Sequence, residues 1–192
     1  MLNSIITSVS RQKILSYFFS GGVDFSPYVR QIVRDLNLEI NAVRRELENL
    51  QNEKIIISEA RGNRLHYVLN SSHPLYYNLA SIVAKSCGLG SIIYKKRKKL
   101  GNIKFALLSL GFFLKSKKNP TSIDLLIVGD VYINVVKPVI EKFEKLNNLE
   151  VNYMVLNLNE YELLKDRRDN VLTTCLISPR CVLIGSEEKF LS

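Results

Sequence analysis

The apolar residues of this 192-residue chain change their spacing once, at about residue 103, and that change limits the fold more than any other feature. Before it, apolar positions recur every three to four residues in successive stretches, then flank a single turn. After it, short apolar runs alternate with longer amphipathic ones. Helical and strand periods bury different faces. The sequence therefore predicts an α+β chain made of unlike parts.

The first stretch, residues 10–19, carries Ile14, Leu15, Phe18 and Phe19 on one helical face, and "SGG" stops it. A second helix is expected from "FSPYVRQIVRDLN", with Ser26 as N-cap and Pro27 at the first helical position. Its buried stripe is Val29, Ile32, Val33 and Leu36. A third helix over residues 40–53 turns Val43, Leu47 and Leu50 inward. "IIIS" and "LHYVLN" then flank the turn signal Gly62-Asn63, as a hairpin requires. Residues 73–100 read as a helix, a "GLG" break and a second, basic helical piece, a connector packed on both neighbours. From Ile103, strands are expected in "IKFALLSLGFF", "IDLLIVG", "LEVNYMVLN" and "RCVLIG". Helices are expected in "VYINVVKPVIEKFEKLNN", disturbed by Pro138, and in "NEYELLKDRRDNVLTTCLI".

Three helices followed by a hairpin resemble the winged helix-turn-helix fold over about residues 8–70. The resemblance implies that residues 40–53 lie in the major groove of DNA. Asn41, Arg44 and Arg45 would then meet base edges, since Arg pairs bidentately with guanine and Asn with adenine. Arg61, Asn63 and Arg64 at the wing tip, and Arg30 and Arg34 on the second helix, would meet the backbone or the minor groove. Arg44 and Glu48 also have the spacing of an ordinary surface ion pair. Winged helices serve as protein-interaction modules too.

Charge adds to this reading. The formal net charge is +9, which favours a polyanionic partner. Residues 1–70 carry 9 basic and 7 acidic residues, residues 71–102 carry 6 and none, and residues 103–192 carry 12 and 11. The excess is thus concentrated around "YKKRKKLGNIK". Three cysteines, Cys87, Cys175 and Cys181, with no CxxC spacing, argue against a disulfide framework. Two histidines, His66 and His73, give no zinc-ligand spacing and argue against a catalytic triad. No apolar run approaches membrane-spanning length, and no signal peptide is visible. A cytoplasmic protein is expected.

The second part resembles the nucleotidyltransferase superfamily that includes DNA polymerase beta. "GLG", "IKFALLSLGFF", "SIDLLIVGD", "LEVNYMVLN", "NEYELL" and "SPRCVLIG" carry the resemblance. With the N-terminal part, the whole chain looks like regulators in which a winged helix is fused to such a domain. Active members use a Gly-Ser turn for the triphosphate, an Asp-x-Asp pair and a third carboxylate that together hold two magnesium ions. Here Ser122 stands at the first Asp position and only Asp124 remains. Leu110-Gly111 or Gly111-Phe112 falls at the Gly-Ser position. Asn152 falls at the third carboxylate, with Glu150 as a substitute on the same strand face. One firm carboxylate does not hold two magnesium ions. Asp124 also reads as a polar strand-start residue bonding nearby backbone. Lys115, Lys117 and Lys118 lie in the preceding loop, where they could meet phosphates.

These readings divide the chain into a winged helix (residues 1–70), a basic helical connector (71–102) and a catalytically degenerate nucleotidyltransferase-like domain (103–192). The expected function is sequence-specific regulation of transcription on double-stranded DNA, as a homodimer. No cofactor is expected, though the second part leaves room for a nucleotide ligand. The rivals are an enzyme nucleotidylating a protein or RNA through Asp124 and Glu150, and an antitoxin-like protein-interaction module.

Overall fold

A computed structural model of the chain describes residues 7–116 and 122–188. Lys117 and Lys118 lie outside these residues. The described chain is a mixed α+β structure with two small sheets. None of its helices is long and apolar enough to cross a membrane.

Helices α1 (Val9–Gly21), α2 (Val29–Leu36) and α3 (Ile40–Asn52) come first, followed by the antiparallel pair β1 (Ile56–Arg61) and β2 (Arg64–Leu69). The expected stripes are buried. Ile14, Leu15, Phe18 and Phe19 from α1 meet Val43, Leu47 and Leu50 from α3 in one core. Such side chains contribute roughly 1.5–3 kcal/mol each when fully buried.

Helix α2 starts later than its sequence suggests. Tyr28, not Ser26, occupies the cap position, and Pro27 precedes the helix. Residues 26–28 run alongside β2 instead. The Tyr67 amide donates to the Pro27 carbonyl at 3.0 Å, and Tyr28 bridges to His66. Pairing with the hairpin satisfies more backbone groups than one side-chain cap would.

Two helices follow, α4 (Tyr76–Ser86) and α5 (Gly88–Lys96). They break at Cys87, which is extended, and Gly88, whose φ is +60°. Gly90 lets α5 turn back tightly on α4, since a Cβ there would lie 2.3 Å from the Ala84 carbonyl oxygen. The basic run closes α5, where cations complement the helix dipole. Arg97 stacks on Tyr94 at 4.2 Å and donates to its carbonyl oxygen.

The second sheet has the order β5-β4-β3-β6. Its strands are β3 (Gly101–Ser109), β4 (Leu125–Val131), β5 (Tyr153–Leu156) and β6 (Arg180–Ile184). β4 and β5 are parallel and the other pairings antiparallel. Strand β3 ends at Ser109 rather than running on through "LGFF". The Ser109 hydroxyl accepts from the Phe112 amide and starts the short α6 (Leu110–Phe113). Helix α7 (Ile133–Asn147) continues through Pro138, which lies on its exposed side. The last helical stretch is two helices, α8 (Leu158–Asp166) and α9 (Asn170–Ile177). They separate at Arg168 (φ +53°) and at Asp169, which caps α9 by accepting from Val171 and Leu172.

Alternation along the strands splits the sheet's side chains between two cores. Ala106, Leu108, Leu125 and Ile127 join Val136 and Ile140 of α7, residues of α4 and α5, and the core of the N-terminal helices. Phe105, Leu107, Leu126 and Val128 pack with Tyr161 and Leu172 from α8 and α9. The α4–α5 pair thus shares one continuous core with the elements before and after it.

Candidate nucleic-acid interface and strand-start cleft

The apolar stripe of α3 leaves Asn41, Arg44, Arg45 and Glu48 exposed. Glu39 fixes the start of this helix by accepting from the Ala42 amide at 2.8 Å. The Arg44–Glu48 surface pair suggested by spacing is not formed. Arg44 and Arg45 have no ion pair among the described residues, and neither does Arg30 on α2. Arg34 differs: its Nε lies 3.0 Å from Asp35, which also accepts from the Tyr17 hydroxyl at 2.5 Å. Hydrogen bonding from Tyr17, then from Arg34, holds the Asp35 carboxyl below its usual range. Tyr17 is pushed up by burial and by Asp35. This knot ties α1 to the end of α2.

At the hairpin tip, Arg61 and Arg64 face each other across the turn, with Asn63 between them exposed. The two arginines are held differently. Arg61 pairs with Glu59 at 2.8 Å and donates to the Ser26 hydroxyl at 2.9 Å. Part of its charge is therefore offset within the protein. Arg64 lies over the Tyr28 ring, 4.6 Å from its centroid, which orients the guanidinium without neutralising it.

One buried charge was not singled out by sequence reasoning. Glu46 is 3% exposed on α3. It accepts from the Ser8 hydroxyl and from Arg11 Nε, each at 2.7 Å. Burial pushes its carboxyl up, but these hydrogen bonds and the Arg11 charge outweigh that and hold it below the usual value. The signal was present, since position 46 falls inside the Val43–Leu47–Leu50 stripe. Its partners are 35 and 38 residues away.

The other group of expected site residues gathers at the start of β4. Asp124 is 2% exposed. Its Oδ2 accepts from the Asn152 amide at 2.9 Å, and its own amide donates to the Asn152 carbonyl at 2.7 Å. Its carbonyl accepts from the Ser109 amide at 2.8 Å. Asp124 therefore fastens the ends of three adjacent strands. Ser122, Asp124, Ser109, Gly111 and Phe112 line a cleft of about 320 Å³, closed on one side by Tyr76 and Tyr77 of α4. Asn152 borders a neighbouring cleft with Ser122. Glu150, exposed before β5, borders neither.

No three His, Cys, Asp or Glu side chains come together among the described residues in a way that could hold a metal ion. A pair of magnesium ions does not fit this donor set. The Asp124 carboxylate already accepts from backbone, and its neighbours are hydroxyls and an amide. The three thiols are equally unsuited to nucleophilic chemistry. Burial pushes Cys87, Cys175 and Cys181 up, Cys175 to about 11. In "NEYELLKDRRDN", Glu160 forms a capping box with Asn157, a structural task like that of Asp169.

The chain matches no protein-family model and no curated protein. Among solved structures it is similar to the reduced HlyU of Vibrio cholerae N16961. Identity is 15% and the TM-score 0.34, over 49% of this chain and 82% of that one. At that level the likeness carries no inference of function.

Proposed function

We propose that this chain is a sequence-specific DNA-binding regulator of transcription, acting in the cytoplasm as a homodimer. Residues 1–70 are its winged helix, α3 its reading helix and the β1–β2 hairpin its wing. Residues 71–102 connect this part to a nucleotidyltransferase-like domain, residues 103–192. That domain has lost catalysis and serves dimerisation or the sensing of a ligand, a nucleotide among the candidates.

One observation carries the reading. Arg44 and Arg45 are exposed on the early turns of α3 and form no ion pair among the described residues. An exposed arginine without an internal partner is available to a base edge or a phosphate. Arg64, set on Tyr28, supplies a pre-oriented cation at the wing. Arg30 supplies another on α2. Asn41 and Asn63 add neutral polar contacts, and Arg61 contributes less, because Glu59 already holds it.

Loss of catalysis is supported by Asp124. A carboxylate used to fasten strands, beside Ser122 and Asn152, does not provide two-metal chemistry. The test is selection from random genomic DNA fragments by the purified full chain at several salt concentrations. A shared motif among fragments kept at moderate salt is the expected result. Weak, unselective retention that vanishes at moderate salt would overturn the reading.

A further inference from the structure

A groove of about 760 Å³ lies between α1, the end of α2, the end of α4 and α5. It belongs neither to the α3 surface nor to the strand-start cleft. Its charged lining is three lysines and one aspartate. Lys13 comes from α1, Lys85 from α4 and Lys95 from α5. None of the three has an ion pair among the described residues. The groove's acid, Asp35, is engaged by the Tyr17 hydroxyl and by Arg34. Ser91 lines the groove from α5 and is 6% exposed. No protein group among the described residues hydrogen-bonds its hydroxyl.

Three lysines from three helices therefore line one groove, and among the described residues none of them is held in an ion pair. Like charges held this way repel each other, and a concave wall concentrates their field. A ligand with two or more negative charges would relieve the repulsion and accept hydrogen bonds from the lysines and Ser91. A volume of this size suits a small molecule.

From this we infer that the groove binds a small polyanion of the phosphorylated class, held by Lys13, Lys85 and Lys95. Its walls come from both the winged-helix segment and the connector. An occupant would contact both. This site does not depend on the DNA-binding reading and stands if that reading falls.

The probe is inorganic pyrophosphate, titrated calorimetrically into the full chain at low ionic strength. Single-site saturation is expected. Lys85→Gln and Lys95→Gln should each weaken it about tenfold, as loss of a charge-assisted hydrogen bond does. Lys142→Gln and Lys145→Gln on α7 should leave it unchanged, and so should Arg44→Ala with Arg64→Ala. Circular dichroism checks that each variant is folded. Lys95 is exposed, so its variant decides the matter if Lys85→Gln fails to fold. Absence of saturable binding would overturn the inference. So would equal weakening by the α7 variants, which would mean diffuse charge. Loss of DNA binding, but not of pyrophosphate binding, in the groove variants would make the lysines part of a DNA track and overturn it as well.

Discussion

Replacing Asp124 by Ala separates a fastening role from a catalytic one. The buried carboxylate accepts from the Asn152 amide at 2.9 Å across the β4–β5 boundary. A hydrogen bond to a charged group contributes roughly 1.5–3 kcal/mol. Asp124→Ala removes at least that bond, so a loss of about 2–3 kcal/mol is expected. For a chain of this length it corresponds to a fall in Tm of roughly 4–12 °C, at about 2–4 °C per kcal/mol. Asp124→Asn keeps an acceptor oxygen in place but not the charge, and should lose about half as much. Urea unfolding followed by circular dichroism measures both, with the midpoint falling and the slope unchanged. Stability within about 0.5 kcal/mol of the parent in Asp124→Ala would refute the fastening role. It would return Asp124 to the pool of residues kept for chemistry.

Three other substitutions probe the packing around α3 and α5. Arg11→Ala should cost about 1–3 kcal/mol, because it leaves the buried Glu46 carboxylate with the Ser8 hydroxyl but without its charged partner, and denaturant unfolding reads it directly. Since folding lowers the Glu46 pKa, its contribution is complete above the ordinary value of 4.5 and drains away as pH falls through the lower folded-state value. Glu46→Gln should therefore flatten the acid side of the stability profile, and an unchanged acid limb would count against the pairing. Gly90→Ala puts a Cβ 2.3 Å from the Ala84 carbonyl oxygen and should cost about 1–3 kcal/mol, measured as a lowered Tm.

The sequence told most where one periodicity ran unopposed. The stripe of α3 is buried where its spacing puts it, and the hairpin turns at Gly62-Asn63. It told less where two local preferences competed. Ser26-Pro27 is a good helix start by chemistry, yet β2 offers residues 26–28 strand pairing, and that partner is some 40 residues away. "LSLGFF" is apolar enough to extend β3, but the Ser109 hydroxyl caps a helical turn instead. Long-range polar partners were the least legible. Nothing local to Glu46 names Arg11, and nothing local to Asp124 names the Asn152 amide, 28 residues on. The lysine groove was hidden for the same reason. Lys13, Lys85 and Lys95 converge only because Gly90 folds α5 back on α4 and α1 packs beside them.

In the proposed function α3 reads bases while the β1–β2 hairpin grips backbone. This division is tested most directly by measuring the affinity of the parent, Arg44→Ala and Arg64→Ala for the selected DNA site and for a scrambled duplex, across a range of salt. Arg44→Ala should lose about 1–3 kcal/mol on the selected site and little on the scrambled one. Arg64→Ala should weaken both alike and lower the salt slope by about one. Equal losses on both duplexes for both variants would contradict the account.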